Sequence, residues 1–430
     1  MENDKLYIKE NVIIRKENFG AIILLRNGKR FNVSLDNYKI LKKCIGKSIK
    51  EIAEELNCNI ETISKFIENA LNKEIIINKD AGHYGKIIEV DYNIENSLIF
   101  PRFVSLEITE QCNLKCKHCY TSAGNGKPHF LELKYVYKLI DELSKYGCEF
   151  LALGGGEPLL YADIEKVIRY AISKGVEVEL VSNGILFDDK MIEKLNIAGL
   201  KYVQISLDGE SSKTYSKVRG ADFFDKVVCN IKKVNREFNT SISTVLCKYN
   251  YDKIFEIIKI ANDIKVDSYR IMKFIETGRG NDNKNVLQIT PDEFKQFIDK
   301  LKDKRKDYRI PVRIDENMMD NFTRKKIPWL KDGLYGCSAG RSTISIDVNG
   351  NIYPCSFLNY EELKCGNIKE NSLLDIWKNS DVLNDFRNIN ELDGKCNDCE
   401  YKNNCQGGCR ASAYAQTRSI KGEDGTCYIK

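Results

Sequence analysis

An α/β fold, a parallel sheet flanked by helices, is predicted for the middle of this 430-residue chain. A small α+β unit precedes it and a cysteine-rich segment follows. Three observations carry the prediction. Between about residues 96 and 305, short apolar runs alternate with amphipathic helical patterns, the order that builds parallel sheets with outer helices. Glycine-rich or small polar residues follow run after run, which places chemistry at one end of the sheet, as in barrel folds. Sixteen cysteines occur, most of them grouped at 112–119 and 337–427.

The first apolar run, 103–108, leads into a polar loop with Cys112, Cys116 and Cys119. Three thiolates so close together can hold three corners of a cubane iron–sulfur cluster, because thiolate is the preferred protein ligand for such iron. The fourth iron is then open, the kind of position where substrate chemistry occurs. Zinc is the competing reading, but no fourth Cys or His lies nearby, and His118 is wedged between two ligands. The spacing C-x3-C-x2-C after a first strand, with His118 before the last cysteine, resembles the radical S-adenosylmethionine (SAM) superfamily. That resemblance implies a [4Fe–4S] cluster whose open iron chelates the amino and carboxylate groups of SAM.

Gly154, Gly155, Gly156, Glu157 and Pro158 follow the run 150–153. Consecutive glycines let a backbone approach a ligand closely, although a glycine run is often only a turn. The run 176–181 ends in Ser182, Asn183 and Gly184, and 202–207 carries Ser206 and ends in Asp208. Ser and Asp after strands also cap helices. By the resemblance, the glycine strand end with Glu157 meets the methionine amino group of SAM. Ser182, Ser206 and Asp208 are ribose-side candidates, Asn183 is a further cofactor contact, and Arg219 partners the SAM carboxylate. Helical spacing at 133–146, 162–174, 189–198, 224–238 and 251–264, with strands at 241–246 and 268–274, completes the alternation. The family's fold, a partial (β/α)6 TIM barrel, fits 96–305. Gly278-Arg279-Gly280 after the sixth strand resembles the family as well.

Toward the other end, Cys337 is followed by Gly350 and Cys355, and then by Cys396, Cys399, Cys405, Cys409 and Cys427. The core reads C-x2-C-x5-C-x3-C, and this order resembles the SPASM domain, which holds two auxiliary [4Fe–4S] clusters. The resemblance implies that Cys396, Cys399, Cys405 and Cys427 ligate the outer cluster, and Cys337, Cys355 and Cys409 the inner one. Relatives with an eighth cysteine carry it a few residues after the first, but 338–343 contains none, so an inner iron with an open position is expected. Cys365 is expected to pack as a small hydrophobe. A zinc ribbon is the rival reading of these cysteines. Residues 306–430 are read as a bridging segment plus this module, with Trp329 and Tyr335 as channel candidates and Trp377 as a helix packing residue.

Residues 1–95 read as a separate winged-helix-like unit. Strands are expected at 6–15, 21–25 and 30–33 with a hairpin turn at Asn27-Gly28, helices at 36–44, 48–56 and 60–72, and a strand at 75–78. Ser48, Asn59 and either Ser34 or Asp36 are candidate caps. This order resembles the carrier protein of pyrroloquinoline quinone biosynthesis, the recognition element that binds leader peptides of ribosomally made, modified peptides (RiPPs). A sheet edge of that kind accepts an extended peptide as an added strand. A DNA-binding helix-turn-helix is the rival reading, weakened by two acids and one base in 60–68.

Sixty-seven basic and 62 acidic residues leave a net charge of +5, too balanced to indicate nucleic acid. The polar start and the lack of a long apolar run predict a cytoplasmic, reduced protein without a membrane partner. Cys44, Cys58, Cys148, Cys229 and Cys247 remain as packing residues. The parts together predict a radical SAM peptide maturase with three [4Fe–4S] clusters and an external electron donor such as flavodoxin or ferredoxin. It would generate a 5′-deoxyadenosyl radical, take a hydrogen from a precursor peptide held by the first unit, and form a thioether or C–C crosslink. Capture of a substrate thiolate at the inner open iron favours the thioether. Ser356, where sulfatase-maturing relatives carry an acidic base, disfavours that activity, and no residue declares itself as the substrate base. A small-molecule substrate of a haem or quinone-cofactor pathway, and an iron–sulfur DNA-binding redox sensor, are the alternatives.

Overall fold

The computed structural model describes residues 3–25, 29–125, 129–314, 336–389 and 391–429. The Asn27-Gly28 turn, Trp329 and Tyr335 lie outside the described residues. Residues 6–15, expected as one strand, form two. The chain turns between β1 (Leu6–Ile8) and β2 (Val12–Glu17), where the Val12 N–H donates to the Lys9 carbonyl at 3.0 Å. That turn sends the two strands into different sheets. β3 (Gly20–Leu25) and β4 (Arg30–Ser34) continue from β2, β5 (Ile45–Lys47) and β6 (Ile76–Ile77) flank β1, and β7 (Lys86–Ile88) closes the order β4-β3-β2-β7. Helices Leu35–Lys43, Ile49–Leu56 and Ile60–Asn72 start at Ser34, Ser48 and Asn59, each of which accepts a first-turn N–H. Ser48 and Glu51 form a reciprocal capping box. Leu6, Ile14, Ile23, Leu41, Ile52 and Ile63 share one buried core.

This unit docks on the rest of the chain through a buried pair. Arg15 Nε lies 2.7 Å from Glu17 Oε1, with side chains 1% and 0% exposed. Arg15 Nη1 donates to the Gly147 carbonyl at 2.9 Å, and Glu17 accepts the Ile99 N–H at 2.9 Å. Burial pushes the Glu17 carboxyl up against the opposing pull of Arg15. Charges so placed fix orientation more than they add stability.

The central sheet begins with β8 (Phe103–Thr109), β9 (Phe150–Gly155), β10 (Glu177–Ser182), β11 (Tyr202–Ser206), β12 (Asn239–Leu246) and β13 (Ser268–Lys273). They pair in parallel in sequence order, as the alternation predicts. Their apolar residues Leu106, Leu151, Leu180, Val203 and Ile242 are buried on one face of the sheet, whereas Ser105, Glu179, Gln204 and Ser243 on the other face line a cleft. Helices Leu133–Lys145, Ile164–Ser173, Asp189–Ile197, Phe224–Glu237 and Ile254–Ile264 cover it. Two further helices escape the periodicity reading. Ser212–Arg219 is polar and turns Tyr215 and Val218 inward, and Pro291–Lys304 is announced by its capping box, Thr290 with Glu293.

The sheet does not end with the sixth strand. β14 (Val312–Ile314) pairs in parallel with β13. At the other edge, β15 (Thr343–Ile346) runs parallel to β8, followed antiparallel by β16 (Asn351–Tyr353) and β17 (Gly366–Asn367). The cysteine-rich segment is thereby bonded to the strand that feeds the Cys112 loop. Trp377 is a packing residue as expected: fully buried, it donates to the Leu98 carbonyl at 3.1 Å beneath the Arg387 guanidinium. Among the described residues, no helix is long and apolar enough to cross a membrane.

Candidate functional site

Every strand end predicted to carry chemistry opens on one cleft of about 1930 Å³, solvent mouth included. Cys112, Cys116 and Cys119 face it, with Gly154, Gly155, Gly156, Ser182, Asn183, Ser206 and Arg219 around them. The cysteine loop is held from several sides. Asn183 Nδ2 donates to Asn113 Oδ1 at 2.6 Å, and the Lys117 N–H to the Val218 carbonyl at 2.9 Å. Arg279 Nε donates to the Cys116 carbonyl at 2.8 Å, and its Nη2 to the Ala123 carbonyl at 3.0 Å. The Gly278-Arg279-Gly280 turn is therefore a clamp on the loop, and a Cβ at Gly278 would meet the Tyr120 carbonyl at 2.2 Å.

The glycine run divides its labour. A Cβ at Gly155 (φ +111°) would lie 2.4 Å from the Thr109 carbonyl oxygen, and one at Gly156 2.2 Å from that of Gln111. Both glycines are required by close packing under the cysteine loop. A Cβ at Gly154 would meet only Val181 Cβ, at an ordinary contact of 3.8 Å, so of the three this glycine is not demanded by packing and leaves room toward the cleft. Glu157 points away from the cleft: fully buried, it accepts from Ser182 Oγ at 2.8 Å and the Asn183 N–H at 2.8 Å. Burial pushes its pKa up to about 7 against those bonds, so it ties the ends of β9 and β10 together.

Asp208 is likewise fully buried, behind Arg219. Its Oδ2 lies 2.6 Å from Arg219 Nε and 3.5 Å from His118 Nε2, and its Oδ1 accepts the Val245 N–H at 2.8 Å. Arg219 in turn donates from Nη1 to Cys116 Sγ at 3.6 Å. Burial would lower the Arg219 pKa, but Asp208 and Cys116 outweigh it and hold the guanidinium charged. Burial lowers His118 to about 4 despite Asp208, so its imidazole is neutral. Ser206 lines the cleft.

The C-terminal cysteines fall into two groups. Cys396, Cys399, Cys405 and Cys427 line one cavity of about 340 Å³. Cys337, Cys355 and Cys409 pack around Ala339, Leu358, Phe386 and Tyr414, and Cys355 also faces the main cleft. Cys365 packs on the separate central core, its thiol pushed up to about 12 by burial. Of the other leftover cysteines, Cys44, Cys148 and Cys247 are buried, whereas Cys58, in a loop between two helices, and Cys229, on a helix, are exposed. Among the described residues, no three His, Cys, Asp or Glu side chains converge as the ligands of a single ion would. Thiols ringed about a cavity fit a multi-iron cluster better than a mononuclear zinc.

Residues 106–261 match the model of the Radical SAM superfamily, and 337–400 that of the SPASM iron–sulfur cluster-binding domain. The chain is an enzyme that carries a Radical SAM domain and a SPASM domain. It is 29% identical over 345 residues to an AdoMet-dependent heme synthase of Methanosarcina barkeri, covering 77% of this chain and 97% of the relative. It is also 29% identical over 336 residues to the mycofactocin maturase MftC of Mycolicibacterium smegmatis, covering 77% and 84%. The crystal structure of Streptococcus suis SuiB bound to the precursor peptide SuiA shares the fold with TM-score 0.77 at 19% identity, over 99% of this chain and 100% of that one.

Three side chains of this enzyme escaped the sequence reading: Arg279 as a clamp, Lys273 at the end of β13, and Glu107. Glu107 and Lys273 are charges within apolar strands, a signal visible only once strand faces are assigned, and Arg279 sits in a polar turn whose contacts are all distant in sequence. Glu107 is buried in β8 and accepts from Asn359 Nδ2 at 3.2 Å; burial pushes its pKa up to about 8. The folded chain then keeps a proton that the unfolded chain loses above its ordinary 4.5. Stability from this group is full below that value and falls as pH rises toward about 8. Glu107→Gln is expected to flatten that slope in urea unfolding midpoints followed across the same window.

Proposed function

We propose that this enzyme matures a ribosomally made precursor peptide, bound through residues 1–95, by taking a hydrogen from it and forming a thioether or C–C crosslink. The observation that carries the reading is a groove of about 1040 Å³ in the N-terminal unit, between edge strand β4 and helix Ile60–Asn72. Among the described residues β4 pairs only with β3 and ends its sheet, leaving its outer edge open. Phe31, Val33 and Phe66 offer apolar pockets along it, and Asn32 Oδ1 is buried without a partner. An extended peptide can add there as a strand, its main chain giving affinity and alternate side chains giving register. We read the unit as a winged-helix-like leader-recognition domain, and the strand–helix units at 96–305 as a partial barrel. The maturase names and the peptide-bound structure among the relatives support this reading.

On the same reading, Cys112, Cys116 and Cys119 hold a [4Fe–4S] cluster, and the seven C-terminal cysteines hold two more, the inner one with three protein thiols. The first cluster, when bound and reduced by an external donor such as a flavodoxin or ferredoxin, supplies the electron that cleaves SAM to methionine and a 5′-deoxyadenosyl radical. The protein's own part is placement. Gly154 leaves room for the amino-acid end of SAM, Arg219 presents a fixed charge to its carboxylate, and Ser182, Asn183 and Ser206 offer hydrogen bonds to the rest. Asp208 acts through Arg219, orienting it, rather than on the ribose directly. The cleft brings the peptide carbon within reach of the radical and sets which hydrogen is taken.

Anaerobic co-expression with a short peptide encoded beside the gene tests the reading. Loss of two hydrogens in its intact mass is expected, and an unchanged mass would count against it. Phe66→Asp is expected to weaken peptide binding at least about tenfold, about 1.4 kcal/mol, while peptide-independent SAM cleavage persists; fluorescence anisotropy of a labelled peptide reads this. The heme synthase relative favours a second reading, a small-molecule substrate, for which SAM cleavage would proceed with the peptide unaltered.

A further inference from the structure

Where the cleft meets the cysteine-rich segment, Lys273 ends β13 among Ser338, Cys355 and Ser356. Its Nζ donates to Asp424 Oδ2 at 2.7 Å and to Thr426 Oγ1 at 2.7 Å. The two side chains are 12% and 2% exposed. Asp424 Oδ2 also accepts the Cys409 N–H at 2.8 Å, and its Oδ1 accepts from the Thr426 N–H at 3.1 Å. A Cβ at Gly408 would come within 2.7 Å of the same Asp424 Oδ2, so the turn is shaped around this carboxylate.

The pair divides the two groups of cysteines. Lys273 acts on Cys409 and Cys337, of the group that opens on the cleft, and at Cys409 it outweighs the opposing charge of Asp424. Asp424 lines the cavity of Cys396, Cys399, Cys405 and Cys427 and acts on Cys405 and Cys427. Burying such a pair gains little stability compared with an apolar replacement of the same shape. Its fixed charges do have an effect on any redox group beside them. Reduction adds negative charge to a cluster, so a neighbouring cation favours the reduced form and an anion the oxidised one.

We propose that Lys273 and Asp424 form an electrostatic bias between two auxiliary cluster sites, Lys273 raising the reduction potential at the inner cysteines and Asp424 lowering it at the outer ones. The inner site, which opens on the cleft, is thereby the easier of the two to reduce. The inference rests on the reading that the seven C-terminal cysteines hold two clusters.

The test is an EPR-monitored redox titration of the full chain, reconstituted anaerobically, with Cys112, Cys116 and Cys119 replaced by alanine so that only the auxiliary sites report. Lys273→Met is expected to make the inner site at least about tenfold harder to reduce, a downward shift of about 59 mV for a one-electron couple. Lys273→Arg keeps the charge and is expected to restore the potential. Asp424→Asn keeps the shape, serves even if Lys273→Met fails to load iron, and is expected to shift the outer site upward. Opposite shifts from the two substitutions support a charge effect. Unmoved potentials in fully loaded variants, or shifts in one direction from both, would overturn the bias and leave the pair a loop tie. Iron and sulfide below two clusters in the parent chain would instead overturn the two-cluster reading, so the two failures are distinguishable.

Discussion

Replacing Cys112, Cys116 and Cys119 together by alanine is expected to abolish 5′-deoxyadenosine formation and leave the chain folded. The three thiols face the cleft, and beyond the weak contacts of Cys116 Sγ with Arg219 and Cys119 Sγ with Thr121 the loop is shaped by bonds of other atoms. Arg279 holds the Cys116 and Ala123 carbonyls, Lys117 bonds through its backbone N–H, and Asn183 bonds Asn113. Alanine removes none of these. It removes the donors on which the cluster, and through it reductive cleavage of SAM, depends. Anaerobic assay with dithionite and chromatography of the nucleoside products reads the loss, and a thermal melt of the metal-free chain is expected to move little. Residual 5′-deoxyadenosine at the parent rate would remove these cysteines from the chemistry.

Asp208→Ala is expected to destabilise the metal-free chain by about 3–5 kcal/mol, the cost of leaving one charge of a buried pair uncompensated. Arg219 is 6% exposed, and its Nε has Asp208 Oδ2 at 2.6 Å as its counter-charge. The nearby His118 is neutral and cannot replace the carboxylate. The double change Asp208→Asn with Arg219→Met is expected to cost less than Asp208→Ala alone, because it leaves no charge behind. Urea unfolding of the single and double variants measures both. In the loaded enzyme Asp208→Asn is expected to weaken SAM binding, since Arg219 loses the group that aims it; equal SAM affinity would separate Asp208 from the site.

The grouping of the cysteines and the strand–helix alternation were legible because both are local. Thiol spacing survives any fold, and apolar runs of four to seven residues bounded by glycine or polar residues read as buried strands. What stayed hidden depends on where faces point. Glu157 and Asp208 looked like cofactor contacts from their positions at strand ends, yet both carboxylates turn inward to bond Ser182 and Arg219. Lys273 and Arg279 act across more than 100 residues of sequence, on Asp424 and on the Cys116 loop. β15 is only four residues long and gains its place through pairing with β8, which no local pattern announces. The strand expected over 6–15 failed at the turn by Lys9, where two exposed residues, Glu10 and Asn11, hand the chain from one sheet to the other.

The central claim is that the radical made in this cleft takes its hydrogen from a peptide. The direct measurement is the mass of 5′-deoxyadenosine formed by the anaerobic enzyme with a uniformly deuterated precursor peptide. One deuterium in the nucleoside is the predicted result, together with a peptide that has lost that carbon-bound deuterium and one further hydrogen, the exchangeable thiol proton for a thioether or a second carbon-bound deuterium for a C–C crosslink. Nucleoside without deuterium, formed at the same rate with and without the peptide, would contradict it.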